Sequence, residues 1–232
     1  QDLPLVTSDI NINKIEVWVT NTTSNYENSR NIVAFTDLGE GKEEWIYNDN
    51  EIYPTTGFGN QYPDNYSNTM LNDMDYNSIR SLNSVTSYLT SQGYTSGKDF
   101  EKLQKARKLS PSEYVLNSKL GFITLNISLN ANQTLAVAYQ YTVIGQDKVY
   151  QVGEFSDQSI ADPNVLVTKL LKSTTINTKM PMWDLMMKNV YNMRAYQVGS
   201  NDFVMNILYL GNENGVATGY FADAEGDLKG KS

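Results

Sequence analysis

Two residue types are missing from this chain altogether. With no histidine among 232 residues, Ser-His-Asp and Cys-His triads, His-ligated zinc and imidazole acid–base chemistry are all unavailable. With no cysteine, disulfides and thiolate metal sites are excluded as well. Positive charge is scarce: 18 Lys and Arg stand against 26 Asp and Glu, a net charge of −8 that repels nucleic-acid phosphates and anionic lipid headgroups. Neither nucleic acid nor a lipid surface is therefore expected as a partner, and nothing in the composition calls for a cofactor. No stretch approaches the roughly 18 consecutive apolar residues of a spanning helix, so direct membrane insertion is not expected. Gln1-Asp-Leu-Pro-Leu5 also lacks the basic and apolar regions of a signal peptide.

What is present is strand pattern. Between Leu120 and Phe155, three runs separated by polar breaks at 130–133 and 145–148 give the clearest alternation in the chain. Ile123, Leu125, Ile127 and Leu129 share one face of the first run. Leu135, Val137, Tyr139, Tyr141 and Val143 share a face of the second, with small or polar Ala136, Ala138, Gln140 and Thr142 opposite. This reads as a core meander. The strand at 11–20 sets Ile15, Val17 and Val19 against Glu16, Trp18 and Thr20, and the run at 30–40 ends at Gly39; the two look like a long-looped antiparallel pair. Further strands are expected at 165–172 and 202–210, the latter returning through a turn at 212–215.

Residues 41–75 change character, scattering Trp45, Tyr47 and Tyr53 among Asn, Asp, Gly and Pro with no period. Such aromatics either pin an irregular loop onto the sheet or form an edge that stacks on sugar rings. Asn72-Asp-Met-Asp75 offers oxygens to calcium without the spacing of a calcium loop. Helical periodicity follows from Asn77 to Gln92, with an Asx cap at Asp75 or Asn77 and Gly93 as the stop. A second short helix is expected from Asp99, with Phe100, Leu103 and Ala106 inward, limited by Pro111. Lys102, Lys105, Arg107 and Lys108 form the basic cluster of this segment, either its wet face or a contact for an acidic partner. Pro181 then opens a helix whose Trp183, Met186, Met187, Val190 and Tyr191 fall on one face. Glu43, Glu44, Glu101, Glu113 and Glu154 are candidate carboxylates for a glycosidase, though their spacing singles out no pair.

The expected fold is mostly β with packed helices, α+β: a two-layer antiparallel β-sandwich forming a single module over 1–232, with a variable loop and helical insertion at about 41–111. Thr134–Val143 has the length and alternation of a transmembrane barrel strand, but too few such strands follow in sequence to close a membrane barrel.

Four blocks resemble the SprA family of Bacteroidetes surface proteins, known as Sov in one branch. They are IEVWVTN (15–21) with RNIVAFTDLGE (30–40); DFEKLQKARKLSPSEYVLNSKLGFITLN (99–126); LAVAYQYTV (135–143) with VYQVGEFS (149–156); and TKLLKST (168–174) with PMWDLMMKNVY (181–191). They occur in the family's order, whereas 41–75 aligns with nothing in it. The resemblance implies a soluble, non-catalytic module of the large outer-membrane translocon of the type IX secretion system, which exports folded proteins and supports gliding motility. It implies a place at the outer membrane or cell surface, in the periplasmic or extracellular space. The implied partners are other secretion-system or envelope proteins, or exported cargo, and no catalytic residues are carried over. On this reading Trp45, Tyr47, Tyr53, Lys102, Lys105, Arg107 and Lys108 are the interaction-surface candidates. The alternative is a carbohydrate-binding module of a cell-surface protein, with Trp45, Tyr47 and Tyr53 as the stacking edge.

Overall fold

Period-two apolar runs build β1 (Ile10–Val19), β2 (Ser29–Phe35), β3 (Phe100–Lys108), the short β4 (Tyr114–Asn117) and β5 (Phe122–Leu125), then β6 (Leu135–Val143), β7 (Val149–Val152) and β8 (Leu166–Lys172). The computed structural model describes residues 8–38, 71, 74–158, 160–178 and 181–187 of one compact unit, Gln1–Lys188. In a second unit, Asn189–Ser232, it describes 199, 204, 206, 208–210 and 217–218. There β9 (Tyr209–Leu210) pairs antiparallel with β10 (Ala217–Thr218); the return falls where expected, but of the strand expected over 202–210 the described residues 204, 206 and 208 are not in a strand.

The expected two-layer sandwich is not formed. The sheet runs β1-β3-β2-β8-β6, and β6 pairs back onto β1 along nearly its whole length, from Ile10↔Val143 to Val19↔Leu135. The result is a closed five-stranded barrel, with β7 continuing along the β6 edge that β8 occupies at 135–137 and β4–β5 forming a separate small sheet. One pair, β2 with β8, is parallel, so the sheet is not wholly antiparallel. Closure removes the edges that an open sandwich must protect.

Two pairings therefore differ from those expected. β1 and β2 are not partners, because β3 lies between them. The 120–155 segment is not one meander: β6–β7 is a hairpin, but β5 pairs with β4, from Tyr114↔Leu125 to Asn117↔Phe122.

The barrel interior is the cluster to which every ring strand contributes: Trp18, Ile32, Ala34, Leu103, Ala106, Ala136, Leu166 and Leu170, joined by Met182. Alanines let five strands converge around Trp18, whose ring fills the volume that they leave. The small face of β6, Ala136 and Ala138, is thus inside, while its large face packs outward under two covers. One cover is β4–β5 and the segment after it, over Val17, Val19, Leu135 and Val137. The other is a helix pair, α1 (Tyr76–Arg80) and α2 (Val85–Ser91), which lays Ile79, Val85 and Leu89 on Val33, Phe35, Val165 and Val167. These helices of one to two turns make a patch and not a layer.

The expected single helix over 77–92 is broken after Arg80. The Asp75 carboxylate caps α1 by accepting from Ser78 N–H at 2.7 Å, as anticipated, and Gly93 takes positive φ just beyond α2. Between them the backbone leaves the helix: the Arg80 carbonyl accepts from Val165 N–H at 2.9 Å, and Ser81 is extended.

The helix expected from Asp99 is β3. Its i, i+3, i+6 spacing has a different origin. Phe100 packs outside the barrel and Leu103 inside, and a bulge between Leu103 and Ala106 adds one residue, which returns Ala106 to the interior. Lys105 sits in that bulge at φ 50°, its N–H donating to Asn31 Oδ1 at 3.0 Å. The helical insertion within 41–111 is thus reduced to α1 and α2 among the described residues. The helix from Pro181, α3 (Pro181–Leu185), is also shorter than its pattern. Among its described side chains Met182 is buried and Trp183 half-buried, while Met186 and Met187 are about half exposed; Val190 and Tyr191 lie outside the described residues.

Candidate functional site

Of the seven expected surface residues, Trp45, Tyr47 and Tyr53 lie outside the described residues. The four cations all lie on β3, but as a strand and a bulge they do not present one face. Lys102 is exposed, with its ammonium 3.5 Å from the Leu82 carbonyl. Lys105 lies 3.6 Å from Asp162. Arg107 donates to both carboxylate oxygens of Glu113 at 2.8 Å. Lys108, opposite Trp18, turns to the barrel end and reaches Glu16 at 2.5 Å. Three of the four are therefore neutralised by carboxylates on three different segments, and they do not combine into a basic groove.

Glu16 is the member that the sequence pattern hid. It alternates with Ile15 and Val17 like a solvent-facing residue, yet it is only 4% exposed, since the face of β1 opposite Val17 is the barrel interior. Its carboxylate accepts from Lys108 Nζ, from Ser156 Oγ at 2.8 Å and from Ser156 N–H at 2.9 Å. Burial first, then the Glu16 charge, pushes the nearby Tyr114 hydroxyl above the usual tyrosine range. Ser156 Oγ also lies 3.2 Å from Lys108 Nζ. These contacts tie β1, β3 and the segment after β7 together. Lys14 extends them, pairing with Asp157 at 2.6 Å and lying over the Phe155 ring at 4.2 Å.

A second buried network crosses 74 residues of sequence. Arg80, 8% exposed, donates to both oxygens of Glu154 at 2.5 Å and to the Val165 carbonyl at 2.8 Å. Glu154 Oε2 accepts from Val167 N–H, and Glu154 N–H donates to the Val167 carbonyl, both at 2.8 Å. Burial lowers the Arg80 pKa, but hydrogen bonding to and the charge of Glu154 outweigh it, so the net displacement is upward. Gly153, at φ +75°, brings this segment against the barrel wall: a Cβ there would lie 3.1 Å from Ala138 Cβ and 3.2 Å from Thr168 Cα.

The glycosidase carboxylates are accounted for in the same way. Glu101 accepts from Ser173 Oγ at 2.7 Å and Thr174 Oγ1 at 3.0 Å, Glu113 holds Arg107 and Ser110, and Glu154 holds Arg80. Glu43 and Glu44 lie outside the described residues. In the calcium segment, Asp75 is the α1 cap, while Asn72 and Asp73 lie outside the described residues. Among the described residues no three His, Cys, Asp or Glu side chains gather to hold a metal. Glu16, Glu101 and Glu154 tie together segments distant in sequence, whereas Glu113 and Asp75 hold local partners. Compared with known proteins, the chain matches no family model and no curated protein.

Proposed function

We propose that this chain is a non-catalytic module of a large outer-membrane protein-secretion translocon of the type IX kind, acting through structure and protein–protein contact. The observation that carries the reading is where the resemblance to the SprA family falls. Its blocks cover the second half of β1, nearly all of β2, β3 to β5, β6, β7, most of β8 and all of α3, touching all five ring strands. A likeness distributed in this way is a likeness of the folding core. The internal chemistry favours a structural role too, because Glu16, Glu101 and Glu154 hold distant segments together and Glu113 holds the turn after β3.

The barrel is also unlike a membrane wall. Outer-membrane barrels turn apolar residues to lipid and polar ones inward. In this ring Trp18, Ile32 and Leu166 fill the inside, and the outward apolar face of β6 is covered by protein. This arrangement fits a module that sits beside the bilayer and meets envelope proteins. The test is affinity capture of envelope proteins, from a bacterium with type IX secretion, on the immobilised module. Recovery of secretion-system components or exported cargo is expected. If the module recovers none where the full-length parent protein does, direct partner binding by this module is withdrawn.

A further inference from the structure

The outer end of β8 carries a small site built from backbone alone. Leu135 pairs with Lys172 and Ala136 with Leu170, so Leu171 is an extra residue on β8. Without it, Lys172 would follow Leu170 toward the barrel interior; with it, Lys172 stands opposite outward-facing Leu135 and its side chain leaves the barrel. There four backbone carbonyl oxygens lie within hydrogen-bond distance of the ammonium and share its three N–H donors: Gln133 at 2.6 Å, Ala131 at 3.0 Å, Ser173 at 3.2 Å and Asn130 at 3.4 Å. None of the four is charged, so the cation is held by converging dipoles. Burial keeps the Lys172 pKa below the usual lysine range, and the charge of Glu101 only partly offsets it.

The loop is held in shape independently of Lys172. Gln133 N–H donates to the Asn130 carbonyl, Asn130 N–H donates to Gln133 Oε1, and Gln133 Nε2 donates to the Thr20 carbonyl. The carbonyls are thus pre-aimed, and exposed Asn130 and Ala131 leave the cage open to water on one side. Converging carbonyl oxygens around a point charge are the donor set that hard monovalent cations and ammonium ions take. We infer that Asn130, Ala131, Gln133 and Ser173 form a cation cage whose built-in occupant is the Lys172 ammonium, and that the cage accepts a small external ammonium ion once that side chain is removed.

The experiment compares Lys172→Ala with the parent chain by thermal unfolding in choline, ammonium and methylammonium chloride at one ionic strength. Choline is too large for the cage, whereas the other two match the missing group. The variant should melt several degrees below the parent in choline chloride and recover a saturable part of that loss in ammonium or methylammonium, while the parent stays flat. Equal melting of the variant in choline and ammonium, or an equal ammonium shift in the parent, overturns the inference. If Lys172→Ala does not fold, the absence of native cysteine provides a second route. Lys172→Cys is alkylated while unfolded, with either an aminoethyl or a carbamidomethyl group, and then refolded. The aminoethyl form, which restores the ammonium, should melt near the parent and the carbamidomethyl form well below it; indistinguishable melting overturns the inference.

Discussion

Replacing Arg80 by methionine keeps much of the side-chain volume and removes the charge that neutralises Glu154. The carboxylate, with a side-chain exposure of 12%, would retain Val167 N–H but lose both guanidinium bonds, and the Val165 carbonyl would lose its 2.8 Å donor. Breaking one side of a buried pair costs about 3–5 kcal/mol, because the remaining charge stays desolvated. For a domain of this size that corresponds to a fall in melting temperature of roughly 6–20 °C. Adding Glu154→Gln should reverse the sign of the next step: the amide oxygen still accepts from Val167 N–H, and no buried charge is left unpaired. The double variant is therefore expected to be more stable than Arg80→Met alone. Urea unfolding of the four proteins in the cycle gives the comparison. A loss below about 1 kcal/mol for Arg80→Met, or a double variant at the sum of the two single losses, would refute the claim that this pair ties α1 to the barrel wall.

Three other outcomes follow from the same geometry. Val137→Asp places a carboxylate under the β4–β5 cover, where Val137 is 3% exposed, and should destabilise by several kcal/mol or shift that carboxyl's titration strongly upward; an unchanged melting temperature would mean that its face is wrongly assigned. Gly153→Ala combines a positive φ with a Cβ 3.1 Å from Ala138 Cβ, so a loss of about 1–3 kcal/mol is expected by chemical unfolding, against near-neutrality if the segment can shift away. The Glu113 carboxyl is held below the usual range by the Ser110 backbone N–H first; burial, next in size, opposes this, and hydrogen bonding to and the charge of Arg107 lower it further. Because the folded value is the lower one, this stabilisation is full above the ordinary glutamate pKa and is lost as pH falls through the depressed folded value. Glu113→Gln should flatten that part of the acid limb of a stability–pH curve, and an unchanged limb would count against the assignment.

How much of this was legible in the sequence differs by level. β1, β2, β6, β7 and β8 were readable because period-two alternation is a local property. Their neighbours were not, because the register of β1 on β6 joins residues more than a hundred positions apart and leaves no mark on either run. The barrel was missed through Ala136 and Ala138, small residues that look like a solvent face and are instead the inside of a narrow ring. β3 passed for a helix because a face change and a bulge together imitate a three-residue period. As for the candidate surface, Lys102, Lys105, Arg107 and Lys108 were visible as charges, but their partners were not. Asp162, Glu113 and Glu16 become their neighbours only once the strands are arranged. Arg80 with Glu154 and Lys172 with its carbonyls were invisible for the same reason.

The proposed role is tested most directly in the cell that makes this protein, by deleting in frame the codons for residues 10–172, the span of the ring strands, and following export of folded type IX cargo. A translocon module should prove necessary: cargo should accumulate inside the outer membrane while the rest of the parent protein still reaches it. Undiminished export, with the shortened parent present at its normal level, would contradict the account.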